Sequence, residues 1–137
     1  MRFFHCDGGM PQKGWVWVFG CDESGQHNQG DARIAKHNFG AKYGGTDGRI
    51  SQSYAISVRD KRRNLLPLER VKHSISLFLM HAQSRPHERF YVCQIACDVG
   101  GFGGELIAPL FAKCPENCFL PTAWKRILDL APATVDA

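Results

Sequence analysis

The run Trp15-Val-Trp-Val-Phe19 constrains the fold of this chain more than any other feature. Five successive β-branched and aromatic residues with no polar alternation read as a strand buried on both faces, and such strands belong to sheets covered by helices. The run ends at Gly20 and passes into a polar, glycine-punctuated segment, Cys21-Asp-Glu-Ser-Gly-Gln-His-Asn-Gln-Gly30. From Asp31 apolar residues recur at helical spacing, Ala32, Ala35 and Phe39, with Ile34 beside them. Asp31 suits the first turn of that helix, and Gly40 suits its end.

The same order returns further along. Residues 53–58 (SYAISV) read as a short strand, and the basic run Arg59-Asp-Lys-Arg-Arg63 follows. Pro67 opens a helix whose stripe, Leu68, Val71, Ile75, Phe78 and Leu79, has the i, i+3, i+7, i+10, i+11 spacing of an amphipathic helix. Arg85-Pro86 breaks it, and residues 89–96 (RFYVCQIA) form a second strongly strand-like run. Asp98-Val-Gly-Gly-Phe-Gly-Gly104 comes next, then a short helix over 105–111, a strand near Phe119 and Leu120, and a tail helix over 124–130. This alternation predicts an α/β fold with a central, largely parallel mixed sheet and helices on both faces, in which runs 15–19 and 89–96 are adjacent central strands. At 137 residues the chain has the size of one domain, taken as 1–137, and its 44% hydrophobic share suffices for a core.

In such sheets ligands sit beyond the carboxyl ends of the strands. Both glycine-rich segments stand there, each before a helix whose first N–H groups and dipole favour an anion. Neither is a P-loop, since no Gly-Lys-Ser/Thr follows, and neither matches G-x-G-x-x-G. Asp22 and Asp98 each lie just past a strand end, where they converge on the crevice or cap a loop. His27, in a polar loop, reads as a proton-transfer group, a phosphate contact or a solvated histidine. Phe102, with glycine on either side, is an exposed ring for ligand stacking or a loop residue tucked into the core. His5, His37, His73, His81 and His87 show no ligand spacing and read as surface or packing residues.

Seventeen basic residues against thirteen acidic give a net charge of +4, but much of the surplus sits in the 59–63 run, which reads as a solvated loop. Nucleic-acid binding through that run is the alternative function. No stretch has the roughly 18 apolar residues that span a bilayer and residues 1–10 lack an apolar signal core, so the expected location is cytoplasmic, with no membrane partner. Of the six cysteines, 93 and 97 lie in an apolar run, and only Cys114-Pro-Glu-Asn-Cys118 has the look of a ligand pair. A closed zinc site takes four ligands and no second pair stands at such spacing, so free thiols, no metal and no cofactor are expected.

The segment Val18-Phe-Gly-Cys-Asp-Glu-Ser-Gly25-Gln-His27-Asn-Gln-Gly30-Asp-Ala-Arg-Ile-Ala35, followed by Phe39-Gly-Ala41, Tyr43-Gly44 and Gln52-Ser-Tyr-Ala-Ile56, resembles a small family of phage and bacterial proteins whose first motif reads approximately V-F-G-S-N-x-x-G-x-H-G-x-G-A-A. Its later segments are similar to Phe90-Tyr-Val, Gly100-Gly-Phe102, Ile107-Ala-Pro-Leu-Phe111 and Leu120-Pro121 with Trp124. The family layout in turn resembles a compact macrodomain, the three-layer α/β module that binds ADP-ribose. That resemblance implies a first loop of Gly20, Gly25, His27, Gln29 and Gly30 and a second of Asp98, Gly100, Gly101, Phe102 and Gly103, together gripping a diphosphate, with the aromatic ring over the distal ribose. It implies an ADP-ribose-like partner, either sequestered or hydrolysed at the distal ribose by water that Asp22 or His27 activates, and the host cytoplasm if the chain is phage-encoded. The chain departs from the motif at Cys21-Asp22, where the family tends to have Ser-Asn, and at Asn28, where it tends to have Gly. An aspartate adds negative charge beside a diphosphate, so Asp22 is expected to face ribose hydroxyls or to serve as a base.

Overall fold

The computed structural model describes residues 2–6 and 9–130; the expected domain range of 1–137 extends beyond them at 1, 7, 8 and 131–137. Six strands form one sheet in the order β1-β6-β5-β2-β4-β3. They are β1 (Phe3–His5), β2 (Val16–Asp22), β3 (Gly48–Ile50), β4 (Ser53–Arg59), β5 (Phe90–Val92) and β6 (Cys118–Pro121). Every pairing is parallel except β3 with β4, so the sheet is mixed and mostly parallel. Four α-helices complete it: α1 (Gly30–Asn38), α2 (Leu68–Gln83), α3 (Gly104–Ile107) and α4 (Lys125–Leu130).

The two runs singled out in the sequence are neighbours at the centre: Val16 pairs with Phe90, Trp17 with Tyr91 and Val18 with Val92. Alternation along them divides the core. Val16, Val18, Tyr54, Ile56, Val58, Phe90 and Val92 join Val71, Ile75, Phe78 and Ala82 of α2, together with Ile107, Phe111, Trp124 and Leu128. Trp17, Phe19, Cys21, Ala55, Tyr91 and Cys93 point the other way and meet Ala32 and Ala35 of α1. Helical side chains therefore cover residues from each face, which is why the central strands are apolar throughout.

Boundaries differ from the sequence reading in instructive ways. Gly20 does not end β2, which runs on to Asp22; a Cβ at Gly20 would stand 3.4 Å from side-chain methyls of Ile95 and Val58, so the three segments pack closely there. The 89–96 run is a strand only over Phe90–Val92; the Cys93 N–H still donates to Val18 at 2.9 Å, after which the chain turns and Ala96 takes a left-handed φ of 56°. The helix expected over 105–111 is α3 followed by a 3-10 turn, Ala108–Phe111, with Pro109 in its first turn. The tail helix expected over 124–130 is α4, Lys125–Leu130, entered through a 3-10 turn over Thr122–Trp124. The edge strands β1 and β3 have three residues each, too few to show a periodicity.

Candidate functional site

The chain adds β4 on one side of β2 and β5 on the other, so connections diverge at the carboxyl end of β2. A cavity of about 510 Å³ opens there. Its walls come from the end of β2 (Gly20, Cys21, Asp22), the following loop and α1 (residues 26–32), the end of β4 with its loop (Val58, Arg59, Arg63), and the turn after β5 (Gln94, Ile95, Ala96, Asp98, Val99). Three parallel strands thus deliver their ends to one crevice, where such sheets take ligands.

The first loop is built to stay open. Gly25 (φ 70°) packs on the glycine-rich 42–48 loop, its carbonyl accepting the Gly44 N–H at 3.0 Å, and a Cβ there would stand 2.6 Å from Gly44. His27, 4% exposed and itself at φ 55°, pins the same two loops together, with Nε2 2.9 Å from the Gly45 carbonyl and its ring edge-on to Phe19. The carbonyl accepts from Nε2–H, and Nδ1 is buried with no partner among the described residues. Gln29 precedes α1 in extended conformation with no side-chain cap, so the first N–H groups of α1, at Gly30, Asp31 and Ala32 on the cavity wall, are without intrahelical partners. No atom lies within 4 Å of where a Gly30 Cβ would be.

Asp22 is held at its loop: its Oδ1 accepts the Ser24 N–H at 2.9 Å and the Ser24 hydroxyl. Its Oδ2 lies 3.8 Å from Arg63 Nε, while Arg63 Nη1 donates to Gln29 Oε1 at 3.3 Å. Arg59, largely buried, donates from Nη1 to the Arg63 carbonyl at 2.9 Å and reaches Asp98 Oδ2 from Nη2 at 3.4 Å. The basic run is therefore not a solvated loop standing apart. Two of its arginines form one wall of the cavity, and both ion pairs are long, which leaves the guanidinium groups able to engage an anion. A strand-end position supplies the signal: Arg59 is the last residue of β4, where a parallel sheet points side chains at the crevice.

Asp31 is a second residue of this wall that the sequence reading used only as a helix-start signal. It keeps an exposed edge, yet its carboxyl group lies against the buried Cys93 thiol, and loss of hydration pushes its pKa above the usual value. Cys21 also lines the cavity. Burial first, then nearby carboxylates, push its thiol up to about 12, so it remains protonated and is no nucleophile.

The second glycine segment contributes less than the first. Asp98 and Val99 reach the cavity, whereas Gly100, Gly101, Phe102 and Gly103 do not line it. The Gly103 N–H donates to the Ala96 carbonyl at 3.1 Å, folding the loop back on itself, and Phe102 packs against the main core cluster. Of the remaining histidines, His5 stacks on Tyr91 and His81 bonds Arg49 at 3.2 Å. Each of the six cysteines is a free thiol, and no cluster of three or more metal-ligating side chains occurs among the described residues. No helix there is long and apolar enough to cross a membrane.

Fold and cavity together define an α/β protein with a crevice at the carboxyl ends of three parallel strands. Compared with protein-family models, with curated proteins and with solved structures, the chain shows no significant match.

Proposed function

We propose that this protein binds an ADP-ribose derivative or a related NAD-derived nucleotide in the β2–β4–β5 crevice, in a three-layer, macrodomain-like fold. The observation that carries the reading is the meeting of an uncapped α1 N-terminus with Arg59 and Arg63 around one cavity. Unpartnered N–H groups and guanidinium forks are what a diphosphate requires. The volume lies within the roughly 300–1,000 Å³ of small-molecule sites. The diphosphate stands at Gly30 between the two arginines, and Arg63 beside Asp22 offsets the charge that this aspartate adds. In an enzymatic form of the reading, Asp22 on the cavity wall is the base that activates water at the distal ribose, while His27, whose Nδ1 is buried, keeps the loop in place.

Thermal unfolding with ADP-ribose, ADP and NAD tests this. A ligand at a hundred times its Kd adds roughly 2.7 kcal/mol, a rise of several degrees. Absence of a shift with all three at millimolar concentration sinks the reading. Incubating a labelled ADP-ribose derivative for hours separates a hydrolase, which releases product, from a binder, which retains the ligand stoichiometrically. Single-stranded nucleic acid is the control: affinity for it that falls by orders of magnitude with moderate salt, together with no nucleotide shift, transfers the arginines to the alternative function.

A further inference from the structure

On the far side of the molecule from the crevice loops, Cys114 and Cys118 bracket a tight turn that the ligand reading does not use. The Cys114 N–H donates to Phe111 at 3.0 Å and the Cys118 N–H to Pro115 at 3.1 Å, and this turn sets both residues in one packed cluster, Cys118 within it and Cys114 against it. The two sulfurs are not equivalent. Cys118, the first residue of β6, is 1% exposed within the core. Cys114 is half-buried and borders a recess of about 550 Å³ whose wall includes Arg2, Phe4 and Lys125. Arg2 is fixed there by two hydrogen bonds to the Ala112 carbonyl, at 3.3 and 3.1 Å.

We propose that Cys114 and Cys118 form a peroxide-reactive dithiol, in which Cys114 is the sulfur oxidised first and Cys118 resolves it. A hydrogen bond from Cys118 and then the Arg2 charge hold the Cys114 thiol below its ordinary pKa, whereas the bond it donates and burial push Cys118 above. Thiolate is the reactive form, and a recess gives a hydroperoxide access to it. In the first step the Cys114 thiolate attacks the peroxide O–O bond; an S–O bond forms and hydroxide leaves, becoming water on protonation. In the second, Cys118 displaces the sulfenic oxygen, which departs as water with the thiol proton. Two thiols are oxidised to one disulfide while one hydrogen peroxide is reduced to two waters. The remaining thiols compete poorly for different reasons: Cys21, Cys93 and Cys97 are pushed up by burial, and the exposed Cys6 lies outside the recess.

The test treats the full chain with a small molar excess of hydrogen peroxide at pH 7, then alkylates and maps it by mass spectrometry. The expected result is loss of two of the six thiols and a 114–118 disulfide, with Cys6 and Cys97 still alkylated. Cys118→Ser should stop the reaction at a Cys114 sulfenic acid trapped by a 1,3-dione, and Cys114→Ser should slow loss of the Cys118 thiol at least tenfold. Oxidation of Cys6 or Cys97 while both 114 and 118 remain alkylated, or unchanged oxidation of Cys118 in Cys114→Ser, overturns the proposal. The unsubstituted chain alone decides the first of these, whatever the variants do to folding.

Discussion

Beyond β2 the chain enters α1 through Gly30, where a Cβ would meet no atom within 4 Å; beyond β5 it turns through Gly101, where a Cβ would press on the Ala96 carbonyl oxygen and stand 2.8 Å from its carbon and 2.9 Å from Asp98 Oδ1. At the first glycine a side chain would meet open space. The second removes space so that the protein can close on itself. Both segments follow central strands and precede helices, yet one leads into a nine-residue helix whose N-terminus lines the cavity and the other into a four-residue turn of helix that packs on the core. Glycine content at a strand end thus marks close approach, but what approaches is decided by the next element.

Substituting the two glycines is the strongest way to break this contrast. Gly101→Val forces the 96–101 turn apart and should cost at least about 3 kcal/mol, a drop of roughly 10 °C in melting temperature. Gly30→Ala meets no neighbour and carries only the left-handed backbone penalty, about 1–2 kcal/mol, while a Cβ at the helix entrance obstructs an anion. Thermal melts and ADP-ribose titration on both variants check this; equal destabilisation would remove the distinction.

The sheet's centre was legible in the sequence because Trp15-Val-Trp-Val-Phe19 is apolar at every position, a pattern only a doubly covered strand satisfies. The α2 stripe was legible for the same reason, since Val71, Ile75 and Phe78 repeat at the helical period and are buried. Arg59 and Arg63 were not. A charge run gives no periodicity, and whether it is solvated depends on where β4 stops relative to β2, a tertiary fact. His27 was legible as a polar-loop residue, but its burial follows from the 42–48 loop folding over it, which no local pattern encodes.

Phe102 sharpens the comparison from the other loop. Its ring packs beside the core cluster and off the cavity wall, so Phe102→Ala should lower stability by about 2 kcal/mol and change ADP-ribose affinity less than threefold. Unchanged melting with a tenfold loss of affinity would instead make the ring a ligand-stacking surface.

Arg63→Ala should show the opposite profile. Its ion pair with Asp22 is long and more than half of its side chain is exposed, so the melting temperature should stay within about 2 °C. A charge-assisted hydrogen bond to phosphate is worth about 1.5–3 kcal/mol, so affinity should fall tenfold or more. Calorimetric titration beside a melt gives both readings, and an affinity within twofold of the parent would return the basic run to the solvent.

Asp98 is the one acidic residue of the second loop that reaches the cavity, and its carboxylate holds Arg59 at 3.4 Å while remaining two-thirds exposed. In the proposed binding mode a ligand diphosphate would compete with it for that guanidinium. Asp98→Asn removes the competing charge but keeps a side chain of the same size, so ADP-ribose affinity should rise about two- to fivefold at low salt. The gain should shrink towards unity near 0.5 M salt, where the screening length drops to about 4 Å, comparable with the ion-pair distance. Stability should move by less than about 0.5 kcal/mol, as for other exposed pairs. If Asp98→Asn weakens binding instead, the carboxylate contacts the ligand directly, accepting from ribose hydroxyls, and the second loop shares in recognition rather than restraining it.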